Sequence, residues 1–514
     1  MAAHFWLAPS VPGMEMLKRP THLPTAATPP ALHRRPIYFV SLGCVKNRVD
    51  TEVMLGIATG DGWRVVDEPD DAEVIVINTC GFIGEAKKES IDTILELAAY
   101  KTIGRCQKLV VTGCLSQRYP QKLAEGMPEV DHFLGSSDML KLGQVLAGDA
   151  ERMLVGNPAD WLVRATDPRT VTQSTASAWI KMAEGCNRTC AFCVIPQIRG
   201  RQRSRAADDV VAEAERLVAA GAIELNLVSQ DTVAYGRDLP KGERSPLSGL
   251  VRRVADIKGV RWVRLFYLYP EVLDEALIDL LAHHPRVVSY VDMPLQHASD
   301  AMLTRMRRGH GKDRQKRLVE RLRAAIPGLT FRTAFIVGHP GETQAEFDEL
   351  HDFVAWARFE HAVVFRYSDE ESCAAHAMPN KVSALVAANR ARKLSALQRR
   401  IAREKNRALV GRELEVLVEG PSEEHEIVMK GRHAGQAPEI DGAVYLSEGE
   451  SRAGEMRRVR IVQASDWDLV GELLNEPTNG ASARVEGGQR PVDAIHRRRV
   501  ALRVLGEGRE TRWQ

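Results

Sequence analysis

Cys186, Cys190 and Cys193 stand at C-x3-C-x2-C spacing within Ala183-Glu184-Gly185-Cys186-Asn187-Arg188-Thr189-Cys190-Ala191-Phe192-Cys193. Thiolates this close on one tight loop can wrap a soft metal centre. A structural zinc wants four protein ligands. The loop offers three, and no histidine lies between His132 and His283. A cubane iron–sulfur cluster normally takes four cysteines; held by three, it leaves one iron open to a substrate. A zinc knuckle that borrows a distant ligand is the competing reading.

Three further cysteines share a different feature. Ile37-Tyr38-Phe39-Val40-Ser41-Leu42-Gly43 leads to Cys44, Val74-Ile75-Val76-Ile77-Asn78-Thr79 leads to Cys80, and Leu109-Val110-Val111-Thr112-Gly113 leads to Cys114. Each apolar run reads as a buried parallel strand, so each cysteine follows a carboxyl end, the edge at which open α/β sheets bind ligands. Distant cysteines can meet there and hold a second cluster with an open iron; three buried core cysteines are the plainer alternative. Cys106 precedes its strand and belongs at the opposite edge.

The elements that must position these residues follow from pattern. Residues 1–35 are rich in Pro, Ala and Thr without periodicity, and read as a disordered extension or as sequence upstream of a start at Met14 or Met16. Residues 36–155 alternate short apolar runs with helical patterns, the mark of a parallel α/β layer. Residues 156–176, with Asn157-Pro158 and a Ser/Thr run, read as a linker. From 177 to 402 six strand-like runs, each followed by a helical pattern, suggest an open, partial TIM-like barrel. They are Trp179–Met182, Glu224–Val228, Trp262–Tyr269, Val287–Asp292, Thr330–Val337 and His361–Tyr367. Asp208 and Gly221 are expected to cap the first helix, and Thr343 with Glu346 to form a capping box. At the carboxyl ends lie Ser229-Gln230-Asp231-Thr232, Pro294-Leu295-Gln296-His297-Ala298-Ser299 and Gly338-His339-Pro340-Gly341-Glu342. Arg199, Arg201, Arg203 and Arg205 alternate just beyond the cysteine loop. In an extended chain they would share one face, an electropositive rim or a solvated loop. Residues 403–472, behind a basic helix spanning about 382–409, carry short alternating strands with turn glycines and suggest a small β-barrel. Residues 473–514 hold Arg497-Arg498-Arg499 and read as a disordered basic tail.

The bulk composition, 44% hydrophobic and 27% charged, is that of a soluble globular chain, and a net charge of +2 implies no partner by itself. Eight cysteines in 514 residues are too few for a disulfide scaffold, which points to a reducing, cytoplasmic setting. No apolar run approaches a membrane span, so no membrane partner is expected.

The loop spacing, with Phe192 before its last cysteine, resembles the signature of the radical S-adenosylmethionine (SAM) enzymes. That resemblance implies that the open iron chelates the methionine moiety of SAM and that an electron splits the sulfonium to a 5′-deoxyadenosyl radical. Ser41-Leu42-Gly43-Cys44-Val45-Lys46-Asn47, Asn78-Thr79-Cys80-Gly81-Phe82-Ile83 and Val111-Thr112-Gly113-Cys114 look like the N-terminal domain of the methylthiotransferases, and the small barrel resembles their TRAM domain. The match runs from about residue 36 to 472. It implies an α/β fold made of an N-terminal parallel α/β domain, a radical SAM partial (β/α)6 TIM-like barrel and a TRAM-like β-barrel. It also implies two 4Fe-4S clusters, one on Cys44, Cys80 and Cys114, the other, binding SAM, on Cys186, Cys190 and Cys193. SAM contacts are implied at Phe192, Gln230, Gly338, Pro340 and Glu342.

Two branches of the family share this plan. Ser229-Gln230-Asp231-Thr232-Val233-Ala234-Tyr235-Gly236, Met293 to Ser299 and Ala437-Pro438-Glu439-Ile440-Asp441-Gly442-Ala443-Val444 resemble the branch that adds a methylthio group to the β-carbon of an aspartate in ribosomal protein S-twelve. The other branch modifies N6-isopentenyladenosine in tRNA and stays as the alternative; a non-enzymatic iron–sulfur sensor or RNA-binding protein is the remote one. The resemblance implies as partners the ribosomal protein or small subunit, an electron donor such as flavodoxin or ferredoxin, and a sulfur donor. The chain departs from the family pattern at His339 for Phe, Ala206 for Pro, and Ser372-Cys373 for Gly-Thr, the last implying that Cys373 is no cluster ligand.

Overall fold

The structure, a computed structural model, describes residues 35–172, 176–270, 273–422, 428–447, 449–477 and 503–505. The extension before residue 35 and most of the expected tail, including Arg497-Arg498-Arg499, lie outside the described residues.

The first domain is a parallel sheet of β1 (Pro36–Leu42), β2 (Arg64–Val65), β3 (Val74–Thr79), β4 (Lys108–Gly113), β5 (His132–Leu134) and β6 (Met153–Leu154), in the order β2-β1-β3-β4-β5-β6. β1, β3 and β4 are almost continuously apolar because both faces are covered. One face packs with Ile94, Leu97 and Leu123, the other with Met54, Leu55, Leu142 and Val145.

The helix Val45–Gly60 has residues buried on all its faces, among them Lys46, Asn47, Arg48, Asp50, Thr51 and Glu52. Burying so many charges requires partners. Asp50 meets Lys181 and Arg199, Glu52 meets Arg169, and Arg48 meets Glu439, so each charge pairs outside the first domain. Residues 156–172 are irregular, as a linker should be, yet Arg169 is strapped between Glu52 and Glu213.

The central domain begins with β7 (Ser177–Lys181), followed by a two-stranded antiparallel ribbon of β8 (Ala183–Glu184) and β9 (Arg203–Ser204). β10 (Glu224–Val228), β11 (Trp262–Leu265), β12 (Val287–Asp292), β13 (Thr330–Val337) and β14 (His361–Arg366) complete six parallel strands in the order β14-β13-β12-β11-β10-β7. The capping box of Thr343 and Glu346 is present. Asp208 is not the expected cap: the helix Ala207–Ala219 starts two residues earlier than Asp209, on Ala206, and the exposed Asp208 pairs with Arg253 instead. Gly221, at φ +110°, does end that helix.

The third domain is a closed barrel of β15 (Glu413–Pro421), β16 (Met429–His433), β17 (Val444–Leu446), β18 (Met456–Ala464) and β19 (Leu469–Pro477), in the order β15-β16-β17-β19-β18. β16 is polar and shows no apolar run of its own in the sequence, and β19 crosses the expected domain boundary at residue 472. Its 434–441 loop fills the open side of the central domain: Ala434, Ala437 and Ile440 pack with Trp179, Phe266 and Tyr290. Arg264 donates to Ala434 O (2.9 Å), Tyr290 Oη to Asp441 (2.7 Å), and Arg432 pairs with Glu224 (2.5 Å).

The expected disordered tail is corrected in two places. β19 runs on to Pro477, and β20 (Arg503–Leu505) pairs in parallel with Val40–Leu42 of β1, which β2 leaves open beyond Ile37. Among the described residues no helix is long and apolar enough to cross a membrane.

Candidate iron–sulfur and SAM site

Cys44 stands at the N-cap of the helix that follows β1, Cys80 directly follows β3, and Cys114 opens the short helix after β4. The three strand ends are tied by Asn47, whose Nδ2 donates to Leu42 O (2.9 Å) and Thr79 O (3.0 Å), while its Oδ1 lies 3.5 Å from Cys114 Sγ. Gly43, at φ +84°, admits no side chain: a Cβ there would stand 3.1 Å from Cys80 Sγ. Cys80 is held by Ser90, whose hydroxyl accepts from Cys80 N and donates to Cys80 O, both at 3.0 Å. The cysteines far apart in sequence therefore meet at one edge. Burial pushes the Cys114 thiol up, and the Arg199 guanidinium opposes that.

The second triad lies on the turn between β8 and the helix Ile195–Arg199. Gly185, at φ +83°, has Arg201 O where a Cβ would sit 2.2 Å away, so the loop closes tightly at its base. Cys186, Cys190 and Cys193 line one cavity of about 330 Å³ with Asn187, Arg188, Thr189, Gln197, Arg201 and Arg307. Donors point at the sulfurs: Arg188 N at Cys186 Sγ (3.4 Å) and Arg308 Nη1 at Cys190 Sγ (3.3 Å). Burial, reinforced by the Asp231 carboxylate and Cys190, pushes the Cys186 thiol up to about 11, and burial with the neighbouring sulfurs pushes Cys193 up to about 12. Such thiols ionise on binding a cationic centre, which supplies the charge they lack. The open cavity and the N–H···S donors fit an iron–sulfur cluster at this triad; the Arg199 donor to Cys114 and the Gly43 cradle fit one at the other. Among the described residues no three His, Cys, Asp or Glu side chains close on a single ion.

A buried charge network joins the two edges. Lys181 Nζ pairs with Asp50 (2.6 Å) and with Glu184, Arg199 pairs with Asp50 (2.7 Å), and Gln230 Nε2 donates to Glu184. Burial works against the Glu184 charge, but Lys181 and Arg199 overcome it and hold its carboxyl down to about 2.

The expected SAM contacts separate into two groups, and none lines the cavity over the cysteines. Phe192 is half-buried beside Cys193, and Gln230 keeps a buried Oε1 with no hydrogen-bond partner, an acceptor available to a ligand. Gly338, Pro340 and Glu342 are buried beneath the helix Ala384–Arg407. A Cβ on Gly338 would meet Ala387 Cβ at 2.5 Å, and the Glu342 carboxylate takes bonds from Arg390 (2.9 Å), Gly338 N and His297 (3.3 Å between the heavy atoms). His339 is fully buried; its Nδ1 lies 3.1 Å from Pro340 O, its ring stands edge-on to Tyr367, and burial lowers its pKa to about 4.

The expected arginine rim is corrected. The helix Ile195–Arg199 and the two-residue β9 break the extended run, so the alternation does not hold one face. Arg199 and Arg205 are buried in ion pairs, and Arg203 binds the carbonyls of Arg201 and Pro158. Arg201 alone of the four is exposed. Arg188, Arg307 and Arg308 carry no sequence signal of their own; they stand at the site because the cysteine turn and the loop after Arg305 meet in space.

The fold and the cysteine turn define a radical SAM enzyme, and three further cysteines gather at a second strand-end edge. Residues 36–135 match the model of the "Uncharacterized protein family UPF0004", 180–354 the radical SAM superfamily and 410–474 the TRAM domain. The chain is 65% identical over 481 residues to the "Ribosomal protein uS12 methylthiotransferase RimO" of Sorangium cellulosum, covering 93% of this chain and 99% of that protein. It is 49% identical to the protein of the same name from Myxococcus xanthus, over 86% of this chain and 92% of that one. In Anaeromyxobacter the figures are 47%, 91% and 99%. The chain belongs to the RimO family of radical SAM methylthiotransferases.

Proposed function

We propose that this protein adds a methylthio group to the β-carbon of an aspartate in ribosomal protein uS12, in the cytoplasm, with two 4Fe-4S clusters and SAM. The observation that carries the reading is the pairing of two cysteine triads at adjoining strand-end edges, in a chain that spans a uS12 methylthiotransferase at 65% identity. An aspartate β-C–H offers no proton that a general base could remove at an ordinary pKa, so the chemistry belongs to cofactors. A cluster on Cys186, Cys190 and Cys193 supplies reductive cleavage of SAM, and one on Cys44, Cys80 and Cys114 supplies a site for sulfur.

The chain's own residues orient and enclose. Arg188 and Arg308 donate toward the sulfurs of the SAM-side triad. The Gln230 amide presents its free Oε1, held by Glu184. Glu342, fully paired, is a brace that fixes the turn Gly338 to Glu342 against Arg390 rather than a ligand. Arg201 and Arg307, on the cavity wall, suit a target carboxylate. An electron donor such as flavodoxin or ferredoxin and a sulfur donor complete the partners.

The test is a pair of triple variants. Cys186, Cys190 and Cys193 to Ala should abolish SAM cleavage. Cys44, Cys80 and Cys114 to Ala should keep uncoupled 5′-deoxyadenosine formation and lose methylthio transfer. Each should lose about half the iron, since each triad holds a cluster of the same type. Full iron after removal of either triad would contradict the assignment.

A further inference from the structure

Arg199 stands on the SAM side of the molecule, at the end of the helix that begins two residues after Cys193, yet its guanidinium serves the other triad. Nη2 lies 3.4 Å from Cys114 Sγ and also donates to Asn47 Oδ1, the side chain that ties the ends of β1 and β3. Nη1 is fixed by Asp50 at 2.7 Å, with Glu184 at 3.5 Å. The side chain is 2% exposed, so these contacts act with little water to screen them. The helix itself is seated on the first domain, where Ser136 Oγ donates to Ile198 O at 2.6 Å. A cation fixed in this way can neither swing off the sulfur nor be replaced by solvent.

We propose that Arg199 is the positioning residue of the N-terminal cluster: its N–H···S bond to Cys114 raises that cluster's reduction potential and locks the cluster's edge to the SAM-binding loop. Hydrogen bonds and positive charge at a cluster's sulfurs favour the more negative, reduced state. The inference rests on the two-cluster reading above. It also assigns the difference between the two centres, because the SAM-side sulfurs take their donors from Arg188 N and Arg308 and none from Arg199.

The experiment is potentiometry followed by electron paramagnetic resonance on the reconstituted full chain, with SAM added to identify the cluster it perturbs. In Arg199→Lys the single ammonium cannot serve Asp50, Asn47 and Cys114 together. The SAM-insensitive cluster should become about tenfold harder to reduce, about 59 mV for a one-electron couple, while the SAM-sensitive midpoint stays in place. A second variant, Arg199→Met with Asp50→Asn, removes both members of one buried pair and avoids a stranded charge. It should shift the same midpoint in the same direction. Loss of iron from the N-terminal triad alone, with SAM cleavage retained, would also support a positioning role. Unchanged midpoints, or equal shifts in both clusters, would overturn the inference. A wild-type chain with only one signal would instead overturn the two-cluster reading.

Discussion

At the scale of the residue, Cys106 is set apart from the other cysteines by what surrounds it, and Cys373 by the sequence motif it lacks. Cys106 Sγ donates to Lys108 O (3.4 Å) inside the first core, at the opposite edge from the triad. Cys373 packs with Cys114, Val194 and Ile198, and burial pushes its thiol up to about 11. Replacing either with Ala should leave iron content unchanged, read by iron analysis after reconstitution. His339 makes a second prediction. Burial lowers its pKa to about 4, so the folded state favours the neutral ring. Its contribution is complete above the unfolded value near 6.5 and is lost as pH falls through 6.5 toward 4. Urea titrations of the wild type at pH 7 and pH 5 should differ by about 2 kcal/mol from this group. His339→Phe should remove that part of the difference. The convergence of the cysteines was legible in the sequence, because one triad shares a short loop and the other follows the carboxyl ends of apolar runs. The partner of Glu342 was not legible, because nothing in the sequence shows that Arg390, 48 residues on, takes its carboxylate.

At the scale of the element, the helix Val45–Gly60 and the 434–441 loop carry most of what the sequence concealed. Strands were readable from apolar runs: β10, β12 and β13 begin and end where their patterns do. The helix was not, since its charged residues suggest solvent and its partners come from 117 to 391 residues away. The motif from Ala437 to Val444 carries a family pattern in its sequence, and in the fold it seals the central sheet with Ile440 and Asp441. The small barrel is therefore no detachable docking module. Truncation before β15 uncovers Trp179, Phe266 and Tyr290, and should impair SAM cleavage as well as target modification, measured by 5′-deoxyadenosine release. Arg432→Met strands part of the Glu224 charge in the interior and should cost about 3–5 kcal/mol in urea denaturation. The larger part of that loss should be recovered by adding Glu224→Gln.

At the scale of the molecule, three domains share one apolar centre, with Val45 and Val49 from the first, Trp179, Phe266 and Tyr290 from the second, and Leu417, Ala437 and Met456 from the third. That shared core, with the ion network of Asp50, Lys181, Glu184 and Arg199, links the two triads. Sequence pattern could give the three domains, since each is a periodic unit, but not their junction, which depends on pairings between distant residues. The barrel from Glu413 to Pro477 contains two aromatics, Tyr445 and Trp467, few for a platform that stacks unpaired bases. The central claim is tested most directly by incubating the reconstituted protein, SAM and a reductant with ribosomal protein uS12 and, separately, with prenylated tRNA, followed by mass spectrometry of both. The account predicts one methylthio group on one aspartate of uS12 and unmodified tRNA; methylthio-adenosine in the tRNA with unchanged uS12 would contradict it.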